Sequence, residues 1–303
     1  MWLFIALLGN AALAVVGIVD RFILTKSVSK PIIFVFYSTI FILPAFFLLP
    51  FGISMPDIWT DYVIFFISGI CFAFGLWTLY IAIAGSEISH VGPLIGAAVP
   101  LFILFLSRIF LGERLGAYGL LAAAVLIIGS LIISFNHGER KYGWHRAMSW
   151  GVLAGLLFAV SHVISKYAYD VYGFYSGFVL TKLPIGMFGG VLLLSPSVRA
   201  LFSKKEKTPA DKTRGKKLFI LIVGDIVLGV TGGILIQYAT SLGSVSLVNA
   251  LAGAQYAMLI VLVALISRFF PKILKEKFTR KEIIQKAAAV AVISLGLALL
   301  LIN

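Results

Sequence analysis

A few polar and ionisable side chains interrupt long apolar stretches of this sequence, and their chemistry needs an explanation. Lys182 and Asp225 each lie inside such a stretch, and His162 lies in another with Ser161 and Ser165 beside it. A lysine and an aspartate can form a buried ion pair, and a histidine can titrate near neutral pH. These groups could bind a charged ligand or carry a proton. They could equally be structural partners of neighbouring helices, and the sequence leaves both readings open.

A second set of residues carries amide and aromatic groups. Aromatic faces and amides together can enclose a small organic molecule and hydrogen-bond its edges. Trp77 and Tyr80 are three residues apart and would share one helix face, although either could instead be an interfacial aromatic residue. The candidates for binding a small molecule are Asn10, Trp77, Tyr80, His162, Lys182, Gln237, Tyr238, Asn249 and Gln255.

Two further roles can be assigned by residue type. The candidates for proton coupling are Asp225, His162 and Glu87, because each carries a group that can gain and lose a proton. The candidates for hinges are Pro44, Pro93, Pro100 and Pro184. A proline frees a backbone carbonyl, which a membrane helix tolerates where a cavity or a neighbour satisfies it.

The composition identifies the solvent in which these residues must be positioned. Of 303 residues, 61% are hydrophobic and 12% are charged, and the mean hydropathy is +1.06. Soluble domains are typically about half apolar and roughly a quarter charged. No soluble core could bury this much apolar surface, so the chain is predicted to lie in lipid. The single cysteine, Cys71, excludes an intramolecular disulfide.

Ten apolar stretches approach the roughly 20 residues that a spanning helix needs. They run over about 2–24, 31–52, 59–84, 89–111, 115–135, 149–170, 175–195, 218–242, 246–270 and 282–302. Their length and uniform apolarity exclude a β-barrel, whose strands are short and alternating. The prediction is an all-α membrane protein with ten transmembrane helices.

The two halves of the chain resemble each other in order. The matching positions are Arg21 with Lys166, Leu43-Pro44 with Leu183-Pro184, Tyr80 with Tyr238, Gly85-Ser86 with Gly243-Ser244, and Ser107-Arg108 with Ser267-Arg268. The predicted organisation is a five-span repeat over 1–137, a basic linker over 138–148, and a second five-span repeat over 149–303. An odd number of spans in each repeat inverts the second copy relative to the first.

The sequence Leu111-Gly112-Glu113-Arg114-Leu115 lies between the fourth and fifth stretches, and Gly119 and Gly129 follow it. With ten spans in two repeats, these residues resemble the drug/metabolite transporter superfamily of the EamA type. In the second half, Lys275 stands where the motif has glycine, before Glu276. The resemblance implies a secondary transporter, often an exporter of small metabolites, with its site between the repeats. It also implies a prokaryotic cytoplasmic membrane.

The net charge of +13 does not indicate nucleic-acid binding, because the basic residues lie in short connections between apolar stretches. Most of the 25 lysine and arginine residues fall in alternate connections, and the densest cluster runs from Arg199 to Lys217. Basic connections face the cytoplasm. This distribution predicts that both termini lie outside.

The function predicted from these observations is secondary transport of a small organic metabolite such as an amino acid, and the family resemblance implies that the direction is outward. Alternating access would occur between two inverted repeats. The alternatives are an exchanger of phosphorylated or nucleotide-linked sugars, using Lys166 and Lys182, and a non-transporting membrane enzyme or scaffold. The sequence contains no Walker loop, GxGxxG, HExxH, CxxC or GxSxG motif. We therefore expect no catalytic residues, cofactor or metal. The expected partners are a small-molecule substrate and the lipid bilayer, as a monomer or homodimer.

Overall fold

The computed structural model describes residues 1–24, 31–85, 88–134, 146–200, 209–269 and 280–302. The expected all-α fold is confirmed for these residues. The helices are α1 (Trp2–Leu24), α2 (Pro31–Ile40), α3 (Trp59–Gly85), α4 (Ile88–Phe110), α5 (Ala117–Ser134), α6 (Arg146–Leu192), α7 (Pro196–Arg199), α8 (Pro209–Leu242), α9 (Val245–Ala250), α10 (Ala252–Phe269) and α11 (Arg280–Ile302). A 3₁₀ helix, Leu43–Leu48, follows α2. The predicted basic linker lies mostly outside the described residues.

Within the described residues, six helical segments are long and apolar enough to cross a membrane. They are Trp2–Val19, Pro31–Leu48, Trp59–Ala84, Met148–Leu192, Val223–Leu242 and Val245–Phe269. Three shorter apolar helices accompany them: Leu94–Phe110, Ala117–Ile132 and Ile284–Leu300. The chain is therefore an integral membrane protein, as the composition predicts.

The longest helix, α6, reverses its direction at Gly173. This residue has φ 75° and ψ 164°, a conformation that is essentially restricted to glycine. In a continuous helix Ala168 and Gly177 would be about 13 Å apart. Here a Cβ on Gly177 would lie 2.7 Å from the carbonyl carbon of Ala168. Thus α6 consists of an N-terminal arm, 146–172, and a C-terminal arm, 174–192, packed against each other.

The second predicted span is interrupted, where the sequence predicted one stretch over 31–52. The α-helix ends at Ile40, and the 3₁₀ helix begins at Leu43 with Pro44 in its first turn. Proline cannot donate a backbone hydrogen bond, and its ring disfavours a helical conformation of the preceding residue. The interruption packs on the C-terminal arm of α6, where a Cβ on Gly186 would lie 3.0 Å from Leu43 Cα.

Many interior side chains are small, and many large apolar side chains are exposed. Fully buried alanines include Ala14, Ala82, Ala123 and Ala239, whereas Phe105 is 64% exposed. Helices in lipid gain stability from close van der Waals packing rather than from removing apolar surface from water, so small residues favour their association.

Close packing joins helices that are distant in sequence. Gly9 of α1 packs on Gly232 of α8, where a Cβ on Gly232 would lie 3.1 Å from the Gly9 carbonyl oxygen. Gly155 on the N-terminal arm of α6 packs on Ala98 of α4. Gly129 of α5 packs on Ile293 of α11. Each of these contacts joins the first half of the chain to the second.

Candidate functional site

Phe72 of α3 lies where α3 meets both arms of α6. The ring of Phe72 packs edge-on against Phe158 of the N-terminal arm, with 5.2 Å between ring centroids. Gly75 allows this approach, since a Cβ there would lie 2.9 Å from the Phe158 ring. Aromatic pairs of this geometry contribute beyond their buried area. The result is an aromatic wall between the two halves of the chain.

Lys182 of the C-terminal arm lies against this wall. Its side chain is only 7% exposed. The Nζ atom lies 5.2 Å from the ring centroid of Phe72 and 5.9 Å from that of Phe178. Among the described residues, Nζ has no hydrogen bond and no ion pair with a carboxylate. A lysine at mid-span costs about 2.5–3.5 kcal/mol on insertion scales, and cation–π contacts of about 0.5–2 kcal/mol each offset part of that cost.

His162 reaches the same wall from the N-terminal arm. Its imidazole is edge-on to Phe72, with 6.4 Å between ring centroids. Phe72 is therefore in contact with both basic side chains. We call the group formed by Lys182, His162, Phe72, Phe158 and Phe178 the Lys182 site. The structure brings together two of the predicted binding residues, Lys182 and His162, and adds three phenylalanines that the sequence did not single out.

Gln237 of α8 is connected to this site through Tyr169. The Tyr169 hydroxyl donates a hydrogen bond of 2.9 Å to Gln237 Oε1, and both side chains are buried. The same hydroxyl lies beside the hydroxyls of Ser165 and Thr181. Thr181 directly precedes Lys182. Gln237 is thus linked to the site by one side chain, Tyr169, which was not predicted, and its role in binding stays a prediction.

Tyr238 is connected to the site through Phe174, the first residue of the C-terminal arm. Phe174 packs against Tyr238 with 5.0 Å between centroids and against Phe178 with 5.5 Å. It also contacts Tyr169, at 5.4 Å. A row of rings therefore leads from α8 to Lys182.

A buried cluster of serine hydroxyls lies on the same interface between α3 and α6. Ser68 Oγ lies 3.1 Å from the Ser161 carbonyl oxygen and 3.2 Å from Ser161 Oγ. Its distance to Ser165 Oγ is 3.5 Å. Ser161 and Ser165 lie on either side of His162 in the sequence. Their hydroxyls thus face Ser68 of α3.

Asp61 is a buried carboxyl that the sequence analysis missed. It lies in the first turn of α3 and is 4% exposed. Tyr172, next to the reversal at Gly173, donates a hydrogen bond of 2.5 Å to Asp61 Oδ2. Tyr167 donates a longer one, 3.3 Å to Oδ1. A carboxyl two residues inside an apolar stretch was the available signal, and the paired tyrosines are visible only in the fold.

The motif at Leu111–Leu115 joins the two halves. Gly112 has φ 65°, which turns the chain after α4. Glu113 then accepts a hydrogen bond from the Ser246 hydroxyl at the beginning of α9. The Ser246 and Ser107 hydroxyls are 2.8 Å apart. Glu113 therefore has a structural role in this conformation.

Other predicted binding residues lie elsewhere. Asn10 and Asn249 donate to carbonyl oxygens of their own helices, Ala6 and Val245, at 2.7 and 2.9 Å. Tyr80 of α3 packs against α2, where its hydroxyl is 2.9 Å from Ser38 Oγ.

Trp77 stacks on Phe74 and packs near α2. Gln255 is partly buried on α10. Thus Tyr80 and Tyr238 contact different partners and do not face each other across the Lys182 site.

An ion pair between Lys182 and Asp225, which the sequence allows, is not among the contacts described for Lys182. Asp225 lies one helical turn before Gly229, at which a Cβ would contact Val16 of α1 at 3.7 Å. Asp225 is therefore near the face of α8 that packs on α1, and its role in proton coupling stays a prediction. Glu87 lies outside the described residues.

The four predicted hinge prolines occupy different settings. Pro44 lies at the interruption of the second span. Pro184 lies inside the C-terminal arm, where a Cβ on Gly69 would be 2.7 Å from it. Pro93 and Pro100 lie within α4, which is continuous. Pro44 alone coincides with a break in the described helices.

An apolar groove of about 440 Å³ opens beside α3. It is lined by Trp59, Tyr62, Val63, Phe65, Phe66, Leu180, Leu183 and Pro184. Trp59 is 76% exposed at its edge. The groove contains none of the charged candidates. Among the described residues, no group of three His, Cys, Asp or Glu side chains is placed to hold a metal ion.

Apolar helices of spanning length, with a lysine enclosed between two halves, are typical of membrane transporters. Residues 1–135 match the EamA-like transporter family. The predicted resemblance to the drug/metabolite transporter superfamily is thereby confirmed over the first repeat of the chain. A crystal structure of a protein 18% identical to this chain superposes with a TM-score of 0.62, covering 98% of this chain and 94% of its own. That likeness shows the fold alone. No curated protein matches the sequence.

Proposed function

We propose that the protein is a secondary transporter that moves a small organic molecule by alternating access. The observation that carries this proposal is the Lys182 site. It encloses a basic group among aromatic rings, and it lies between α3 of the first half and α6 of the second. Secondary transporters bind substrates near the bilayer midplane, where two repeats meet. Largely apolar pockets with a few polar groups are typical of small-molecule sites.

Ten crossings are supported by the helix lengths. The segment Met148–Leu192 is 45 residues long and reverses at Gly173, so it has length for two crossings. The other five long segments and the three shorter apolar helices supply the remaining eight. In this proposal the five-span repeats occupy 1–137 and 149–303.

An inverted relation between the repeats is supported by the packing. The first helix of the first repeat packs on α8, the third helix of the second repeat. The corresponding contact with the repeats exchanged is that of the N-terminal arm of α6 on α3, seen at Gly75 and Phe158. Two such equivalent interfaces allow two conformations of similar energy, as alternating access requires.

The orientation and membrane follow from charge and family. We propose a prokaryotic cytoplasmic membrane with the basic connections inside and both termini outside. Export of a metabolite such as an amino acid is the direction and cargo that the family resemblance suggests. Protons are a possible coupling ion, with His162, Asp225 and Glu87 as the candidate carriers.

The alternative functions have less support. An exchanger of phosphorylated or nucleotide-linked sugars would use Lys166 and Lys182 together. However, Lys166 Nζ is 2.8 Å from Asp170 Oδ1 and 3.5 Å from the Ser241 carbonyl oxygen, so it already has partners. A membrane enzyme would need clustered carboxylates or histidines. Among the described residues, Asp61 is bonded to tyrosines and His162 faces Phe72.

The experiment is efflux from proteoliposomes loaded with an equimolar mixture of amino acids, organic acids, sugar phosphates and amines. Mass spectrometry measures which compounds leave faster than from protein-free vesicles. Gln237→Leu, which breaks the bond to Tyr169, should reduce efflux at least fivefold. Thr231→Val, on the exposed side of the same helix, should not. If every compound leaves the proteoliposomes no faster than it leaves protein-free vesicles, transport is contradicted.

A further inference from the structure

We infer that the transported molecule is a small organic monoanion, a carboxylate with an aromatic or broad apolar body, bound with its anionic group against Lys182 Nζ. This inference rests on the proposed transport function and names the substrate class of the same site. It replaces the amino acid that the family resemblance suggests with a carboxylate that has no ammonium group, because the site has no free acceptor assigned for an ammonium group.

The first step is the charge of the site. Lys182 is 93% buried, and among the described residues its contacts are two phenylalanine rings. A protein normally pairs a buried cation with a carboxylate or fully hydrogen-bonds it. A ligand that brings one negative charge would supply the missing partner.

The second step concerns the carboxyl groups that could compete for Lys182. Asp61 accepts hydrogen bonds from Tyr167 and Tyr172. Asp170 is paired with Lys166. Asp225 lies on the α1 side of α8. The other polar groups packed around the site, on Ser165, Tyr169, Thr181 and Gln237, carry no charge. Among the described residues, no carboxylate is therefore assigned to Lys182, and a ligand can supply the negative charge.

The third step concerns the body of the ligand. Phe72, Phe158 and Phe178 surround the lysine, and Phe174 extends the row towards α8. Rings of this kind favour a flat apolar body over a sugar, whose hydroxyls would lose their hydrogen bonds to water. Gln237 Oε1, which could accept from an ammonium group, is already bonded to Tyr169. Lys182 is the one lysine or arginine of the site, and together with the aromatic wall it fits a monocarboxylate better than a zwitterion, a dianion or an amine.

The experiment is equilibrium binding of matched probes to the purified full-length protein in detergent. The probes are 3-phenylpropanoate, 3-phenylpropanamide, L-phenylalanine, phenethylamine and phenyl phosphate. The carboxylate should bind at least tenfold more tightly than the isosteric amide and than the other three probes. Lys182→Met should remove this preference, lowering carboxylate affinity at least tenfold while leaving amide affinity within twofold. Lys166→Met, a lysine of the same helix with its own carboxylate partner, should keep wild-type affinities.

Several outcomes would overturn the inference. They are equal affinity for acid and amide, a preference for phenylalanine, the amine or the phosphate, an unchanged preference in Lys182→Met, or no carboxylate binding at all. Lys182→Met removes a buried charge, so it is expected to fold, and a thermal scan verifies this. The loaded-vesicle experiment distinguishes the two proposals. Efflux of a neutral or cationic compound would support the proposed transport function and would refute the monoanion inference.

Discussion

Two buried ionisable side chains, Asp61 and Lys182, have different surroundings. The Asp61 carboxyl accepts hydrogen bonds from two tyrosine hydroxyls, whereas the Lys182 amine contacts aromatic rings. A carboxyl with bound donors is a structural element of the fold. An amine that contacts only aromatic rings can still donate hydrogen bonds to a ligand. The hydrogen bonds of Asp61 thus mark it as a structural group, and their absence from the described contacts of Lys182 marks it as a functional candidate, although both groups are costly to bury.

Asp61 therefore yields a prediction about stability. Asp61→Asn replaces an acceptor-only group with one whose amide hydrogens face the tyrosine hydroxyls. The free energy of unfolding should fall by about 1–3 kcal/mol, the usual cost of leaving a buried polar group unsatisfied. Denaturation in detergent measures it. Asp57→Asn, a substitution at an exposed neighbour, is the control and should change stability by no more than about 0.5 kcal/mol. Equal losses in both variants would refute the structural role of Asp61.

At the scale of helices, the reversal of α6 depends on one residue. Gly173→Ala places a Cβ on a residue with φ 75° and ψ 164°. The variant should lose about 1–3 kcal/mol of stability, because only glycine adopts this conformation readily. Gly233→Ala is the matched control, since a Cβ there meets nothing within 4 Å. Thermal unfolding should show a lower midpoint for Gly173→Ala alone. A normal midpoint for it would mean that α6 does not reverse at this residue.

Helix positions were largely predictable from the sequence, whereas contacts between helices were not. Apolar length predicted α1, α3, α4, α5 and α11 closely, since a spanning helix needs little more than an unbroken apolar run. It missed the interruption at Pro44, because apolar residues continue through it. Lys182 and His162 were identifiable as costly residues in lipid. Their common neighbour Phe72 was not, because one phenylalanine among 25 carries no distinguishing signal until the helices pack.

At the scale of the whole molecule, the charge distribution predicts orientation. Both termini should lie on the outer face, because the basic connections are retained in the cytoplasm. An epitope placed at either end should be removed from intact cells by an impermeant protease. An epitope inserted in the basic region 199–217 should be cleaved only after the cells are opened. Cleavage in the opposite order would reverse the assigned orientation.

The tight reversal at Gly173 also has a consequence for how the protein is synthesised. The two arms of α6 are joined without an intervening loop, so the first has little freedom to enter the bilayer without the second. Alone in lipid, the C-terminal arm would expose Lys182 at a cost of about 2.5–3.5 kcal/mol. If the two arms insert together as a hairpin, the C-terminal arm already has the N-terminal arm beside it. Phe72 of α3, which precedes α6 in the chain, is then already in the membrane. The order of the helices along the chain thus shields the lysine from the moment it leaves the translocon.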